Sequence, residues 1–434
     1  MKLINKGAQI VLNVLLVFIL MLPVTGSTVD PTDELGQIRA YSRDYEFDYV
    51  TWTISAMARK LSQTSLKVDQ YLTESDKRAL ILKYLELRNE VSALQGELAN
   101  LLSDPNQENG EQRENALRAE LERKEDSRIG LAPFVEQVLQ DQLNSALVDL
   151  DLAYGGVLVP SVLYKSEPNS FALIVSPRDE IRQAANLMLV RGLTLDEIIH
   201  LEEDIETNLN LSALVVGIGG VGLYPSMIIE TGNLDWLLHV VSHEWTHNYL
   251  TLRPLGMFYG TSPELTTINE TVADLSADAI QRKAFELYYP ERLPPEPEQK
   301  TDEDPLHKDS EEELLLPTER TFDFRAEMHI TRLEVDRLLA EGKIDEAEGY
   351  MEQRRILFWE NGYQIRRLNQ AYFAFHGSYA AQPGGAAGEE GVDLGAELRE
   401  LNQKTTSYQE FMRLVAWKWR LDQFEGLFES YQQD

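Results

Sequence analysis

The stretch from Leu234 to Asp274 sets the strictest condition on any fold this chain can adopt. His243-Glu244-Trp245-Thr246-His247, an H-E-x-x-H, lies on a run with helical periodicity, and Asn269-Glu270-Thr271-Val272-Ala273-Asp274 follows on a second. A helix turns about 100° per residue, so His243 and His247 stand about 40° apart on one face, one turn from each other. Two imidazoles so placed can reach one Zn²⁺ at about 2.0–2.1 Å. Glu244 projects to the side of the pair, where it can hold and deprotonate a water. Glu270 supplies a carboxylate, a candidate third ligand. Asp274, one turn further on, can accept the remaining N–H of a ligand histidine.

Other residues compete for these roles. His239 lies one turn before His243, but three histidines at i, i+4 and i+8 span about 12 Å of helix axis, too far for one ion, so His239 is expected to pack or to hydrogen-bond behind the ligands. Glu264 is a rival third ligand; it follows Pro263 at an expected helix start and has no Asp one turn later. Asp278 continues the Glu270–Asp274 face, as a further hydrogen-bonding group or as polar surface.

The two motifs together resemble the gluzincin zinc metallopeptidases, the thermolysin- and neprilysin-like group, over about Leu211–Ile280. The resemblance implies His243, His247 and Glu270 as zinc ligands, Glu244 as general base and Asp274 as the partner of a ligand histidine. It implies a peptide or protein substrate and a zincin-like pair of active-site helices. No G-A-M-E-N-type segment precedes the first helix, which argues against an aminopeptidase, and the chain lacks the cysteines of neprilysin. In such a site Zn²⁺ lowers the pKa of a bound water toward about 7 and polarises the scissile carbonyl, while the glutamate moves the proton to the leaving amine. The family often adds a His, Tyr or Arg from the following domain to stabilise the oxyanion. His376 and Tyr379 are the candidates, with His329 and Arg332 as a second choice; an aromatic core helix with a satisfied histidine is the competing reading of His376. Two other functions remain open: a zinc hydrolase acting on something other than peptides, and a catalytically inactive helical scaffold of the cell envelope.

The chain has 72 acidic and 40 basic residues, a net charge of −32, which argues against nucleic acid and against anionic membrane surfaces as partners. With no cysteine there is no disulfide, no thiolate metal site and no cysteine nucleophile. Lys2 and Lys6 precede an apolar run from Ala8 to Val24, ending in small residues. Residues 1–27 are therefore a signal peptide, or an uncleaved anchor giving membrane association, and the rest of the chain is expected outside the cytoplasm.

Mainly α structure with a small β-sheet is expected. A helical region, 28–152, begins with a helix over Tyr45–Leu66 and a second capped by Thr73 and Asp76. Leu80, Tyr84, Leu87, Val91, Leu94, Leu98 and Leu101 recur at spacings of four and three, three heptads of a coiled-coil-like seam. We read an antiparallel hairpin with a charged helix around Leu117 and Leu121, packed on helices over Phe134–Leu150; an intermolecular coiled coil is the alternative. The region 153–290 should hold the catalytic elements: a hairpin of Val157–Lys165 and Ser170–Ser176, a helix over Leu193–Thr207, and a strand pair, Leu211–Ile218 and Leu223–Glu230, kinked by glycines. In zinc peptidases a strand in this place commonly borders the cleft and pairs with extended substrate; a plain structural hairpin is the alternative. An acidic, Pro-rich linker, 291–317, contains His307, expected to be solvated. The C-terminal region, 318–434, is read as helices over Arg320–Ala340, Asp345–Trp359, Gln364–Tyr379 and Ser407–Tyr431, with a glycine-rich break at Pro383–Gly391.

Overall fold

The computed structural model describes residues 34–64, 71–103, 110–168, 170–190, 193–293, 322–376 and 394–432. Residues 1–27, most of the acidic linker with His307, and the break at Pro383–Gly391 lie outside them. The described residues are mainly helical, with two three-stranded sheets among them. Among the described residues no helix is long and apolar enough to cross a membrane.

Helix α1 (Glu34–Ser42) leads into α2 (Tyr49–Thr64), which starts later than expected from Tyr45. The intervening chain is pulled against a strand instead, with the Phe47 amide donating to the Met188 carbonyl. Helix α3 (Glu74–Ser103) opens on the Thr73–Asp76 capping box: the Asp76 amide donates to Thr73 Oγ1 at 3.2 Å and Thr73 donates back to the Asp76 carboxylate. Its partner is one unbroken helix, α4 (Gly110–Asp149), where a charged helix and separate later helices were expected. Pro133 removes one backbone hydrogen bond, yet the helix runs through it. Val135, Val138, Leu139, Leu143 and Leu147 form one buried stripe that a break would disrupt. Lys124 pairs with Glu90 at 2.8 Å and Arg128 with Tyr84 at 3.5 Å, so the two helices run antiparallel within one chain.

The first sheet has the order β3-β2-β4, all antiparallel, from β2 (Ser170–Pro177), β3 (Ala185–Leu189) and β4 (Leu211–Ile218). Successive residues of a strand face opposite sides, and here both sides are covered. Ala172 and Ile174 of β2 pack under α9 (Phe324–Ala340), α10 (Ile344–Glu360) and α11 (Gln370–His376). Leu173 and Val175 pack against α1 and α5 (Leu195–Leu209) on the other side. Helix α11 begins six residues later than expected, because Arg366 and Arg367 are drawn down to Glu202 and Glu206 of α5. Glu202 is fully buried and holds Arg366 through both carboxylate oxygens, a geometry that keeps a buried charge paired.

The second sheet, β1-β6-β5, is built from β1 (Tyr164–Glu167), β6 (Ser226–Ile229) and β5 (Gly220–Val221). Two expected pairings are corrected here. β1 does not form a hairpin with β2; it runs parallel to β6, with Tyr164 opposite Ser226. β4 does not pair with the strand that follows; the chain leaves the first sheet after Ile218, and short β5 pairs with β6. Both exchanges let each strand bury its apolar residues against a different helical layer.

Helices α6 (Leu234–Thr251), α7 (Pro254–Met257) and α8 (Pro263–Tyr288) follow, and their apolar faces join the α3–α4 hairpin in the largest core. The expected final helix over Ser407–Tyr431 is two helices, α13 (Tyr408–Val415) and α14 (Leu421–Gln432), preceded by α12 (Leu394–Lys404). All three pack on that core through residues such as Leu398, Phe411 and Phe424. The break falls where the Ala416 carbonyl accepts the Leu255 amide at 3.2 Å.

Candidate metal centre

Helix α6 begins at Asn233, whose side chain accepts the amides of Asp235 and Trp236. Leu237, Leu238, Val241 and Trp245 turn one face into the core, and the Trp245 indole donates to the Pro160 carbonyl at 3.0 Å. That anchoring fixes the helix about its axis and aims His243 and His247 at α8. Helix α8 starts at Ser262 with Pro263 in its first turn. Fully buried Ala273 and Ala277 on α8 are small enough to let two helices approach closely.

The contacts between α6 and α8 are polar and specific. His243 Nδ1 lies 2.9 Å from Asp274 Oδ1, and His247 Nδ1 lies 2.9 Å from Asn269 Oδ1. Each Nδ1 faces an acceptor and therefore carries the hydrogen, which leaves both Nε2 atoms as lone pairs. Those two Nε2 atoms are 3.1 Å apart and lie 3.3 and 3.5 Å from Glu270 Oε2. Glu270 Oε2 is buried with no hydrogen-bond partner, while Oε1 accepts the Tyr259 hydroxyl at 2.7 Å. Three electron-pair donors thus converge with no proton among them in this tautomer, and His243, His247 and Glu270 form a group that could hold a metal ion.

Without an ion the cluster takes up protons instead. Burial opposes charge on His243, but hydrogen bonds to Asp274 and Glu270 and the charge of Glu244 outweigh it and raise its pKa well above the ordinary histidine range. Burial likewise opposes charge on His247, whose pKa the Glu270 carboxylate raises. Burial alone would raise Glu270; the two histidines overcome it and hold the carboxyl at about 2. Glu244, also buried, shifts up, with burial outweighing the charges of His243 and His247.

β5 lies flush against this group. A Cβ built on Gly220 would stand 2.6 Å from Glu244 Oε1, and one on Gly222 would stand 3.0 Å from the His247 Cβ. Only glycine lets the backbone come so close. A Gly220→Ala chain is expected to push the Glu244 carboxylate aside and to lose about 1–3 kcal/mol of stability through overpacking. Denaturant unfolding would check this, and unchanged stability would mean that Glu244 has room elsewhere.

The sequence-based residues fall as follows. His243, Glu244, His247, Glu270 and Asp274 come together. Glu264 sits in the first turn of α8 and does not belong to the group. His239 lies behind the ligands, 3.4 Å from Asp278 and 3.9 Å from Asp274. Burial disfavours its charge, but these two carboxylates raise its pKa to about 9. It could join His243 and Asp274 in a second grouping, which shares the atoms that already orient the first. His376 ends α11 with its ring 4.2 Å from that of Tyr372, and burial lowers its pKa to about 4. Arg332 pairs with Asp336 and lies over Phe373, on the same side of the first sheet. Among the described residues no recorded contact joins His376, His329 or Arg332 to the metal-binding group. Tyr379 lies outside the described residues.

Two further residues belong to the site. Asn269 orients His247, and its neighbour Glu270 already marked that helix face. Tyr259 comes from the α7–α8 loop, where no periodicity announces a role. Removing the acceptors that orient the imidazoles, by Asp274→Ala or Asn269→Ala, is expected to weaken metal affinity about 10- to 100-fold. Competition with a chromogenic chelator reads this directly, and an unchanged affinity would mean that the rings are held by packing alone.

No protein-family model, curated protein or solved structure matches the chain.

Proposed function

We propose that this chain is a zinc-dependent peptidase of gluzincin type, with a zincin-like helix pair and working outside the cytoplasm. The observation that carries this reading is the convergence of His243 Nε2, His247 Nε2 and Glu270 Oε2 beside the buried carboxyl of Glu244. Two imidazoles and a carboxylate suit zinc, and ligand atoms at about 2.0–2.1 Å in a tetrahedron stand roughly 3.3–3.4 Å apart. The separations here, 3.1, 3.3 and 3.5 Å, bracket that spacing.

When bound, zinc would supply Lewis acidity, acidifying water and polarising a carbonyl. The chain's own residues do the rest. Asp274 and Asn269 hold the ligand rings in one tautomer, and Tyr259 ties down one oxygen of Glu270 so that the other is presented. Glu244 is one residue from His243 on the same helix, close enough to take a proton from an attacking water and return it to the leaving amine. In the metal-free chain burial raises the pKa of this carboxyl. β5 is an edge strand, and it passes directly over Glu244. The outer edge of this short strand is where an extended peptide could be laid beside Glu244, which favours a polypeptide substrate.

The test is metal content. Purified chain should carry about one zinc, and Glu270→Ala and His243→Ala should carry none, by elemental analysis. Iron in place of zinc, or no uptake after incubation with zinc, would sink the proposal.

A further inference from the structure

We propose that His239 and Asp274 hold a second, weaker divalent cation on the outer side of the helix pair that carries the metal centre. His239 lies one turn before His243 on α6, and Asp274 and Asp278 lie one turn apart on α8, so the two helices repeat part of the first group's chemistry one turn away. His239, His243 and Asp274 each offer one atom within 4.8 Å of the others. His239 Nδ1 stands 3.4 Å from Asp278 Oδ1, and its Nε2 stands 3.9 Å from Asp274 Oδ1. With the ring hydrogen on Nδ1, Asp278 orients His239 as Asp274 orients His243. The Nε2 lone pair then faces a carboxylate oxygen, and two acceptors facing each other need a cation between them. His243 is not a ligand here, since its Nδ1 carries the hydrogen that Asp274 accepts.

The donors select the ion. One imidazole and one carboxylate, completed by water, suit zinc or a neighbouring transition metal better than calcium or magnesium, which take oxygen alone. Exposure separates the two positions. The His239 side chain is 30% exposed and that of Asp278 70%, against 8%, 18% and 2% for His243, His247 and Glu270. An ion therefore reaches the outer position directly from solvent and leaves it as readily. Three effects make it the weaker site: fewer protein ligands, a ring proton that the metal must displace, and repulsion from an ion in the first group. Asp274 serves both, because a carboxylate has lone pairs enough to accept the His243 N–H and to bind a cation. The competing account is a protonated His239 paired with its two carboxylates, which leaves a single zinc per chain. The inference stands whether or not the metal centre is catalytic.

Equilibrium dialysis of the full chain against buffered free zinc, followed by elemental analysis, tests it. Uptake should show two steps, the second at higher free zinc and lost again on purification in zinc-free buffer. His239→Ala should abolish the second step and leave the first. Asp278→Ala, which removes only the group that orients the ring, should raise the midpoint of the second step about 10- to 100-fold. Glu270→Ala should lose the first step and keep the second, so failure of this site and failure of the metal centre give different results. A single step in the native chain would overturn the proposal. So would a second step that survives His239→Ala, which would assign the extra zinc to the acidic surface at large.

Discussion

Replacing Glu244 with glutamine is expected to lower kcat/KM for peptide hydrolysis by about 10²–10⁴-fold while leaving zinc content unchanged. Glutamine keeps the shape that fits under Gly220 but has no site for the proton of an attacking water. Glu244 is not among the three converging donors, so the metal group should survive its loss. The loss should fall on kcat more than on KM, because proton transfer occurs only on the way to the transition state. A variant that keeps its zinc and its rate would remove Glu244 from the mechanism and leave a binding site.

The second large effect concerns stability. Removing the metal should cost the fold about 4 kcal/mol when free zinc had stood at a thousand times its dissociation constant. The size of this effect should depend on pH, and its sign follows from the cluster. His243 and His247 have folded pKa values above the unfolded one, so in the metal-free chain their protonation stabilises the fold below the unfolded pKa. That contribution fades as pH rises through the folded values. Zinc must displace the same protons, so its apparent affinity rises over this window. The zinc-induced gain in Tm should therefore be small near about pH 6 and larger near about pH 8. A gain that does not change with pH would mean that zinc binds away from the two imidazoles.

Much of the metal group was legible because helical spacing dictates it. Once His243 and His247 lie on one helix and Glu270 and Asp274 on another, the only freedom left is how the helices meet, and the apolar residues on their other faces decide that. The Thr73 cap and the seam through Tyr84, Leu87 and Val91 were readable for the same reason. Strand partners were not. Alternation says that Tyr164–Glu167 and Ser170–Pro177 are extended, but it cannot say that the chain changes sheet between them. The unbroken α4 was hidden by Pro133, whose local cost is outweighed by tertiary packing. The break after Val415 was hidden in the opposite way: the apolar pattern continues, while a hydrogen bond from Leu255, distant in sequence, takes the Ala416 carbonyl. Tyr259 reaches Glu270 from a loop, and loops carry no period to read.

The close approach of β5 to the helix beneath it also limits how this chain can change over generations. Leu237 or Val241 can be exchanged for another apolar residue of similar volume, with neighbours shifting to match. Gly220 has little such latitude, because a Cβ there would stand 2.6 Å from Glu244 Oε1, and a Cβ on Gly222 would press on His247. A diverged descendant that retains the chemistry should therefore keep an empty position on that strand, even after the hairpin helices and the acidic linker have become unrecognisable. In lineages where the glycines fill in, Glu244 should be the next residue lost.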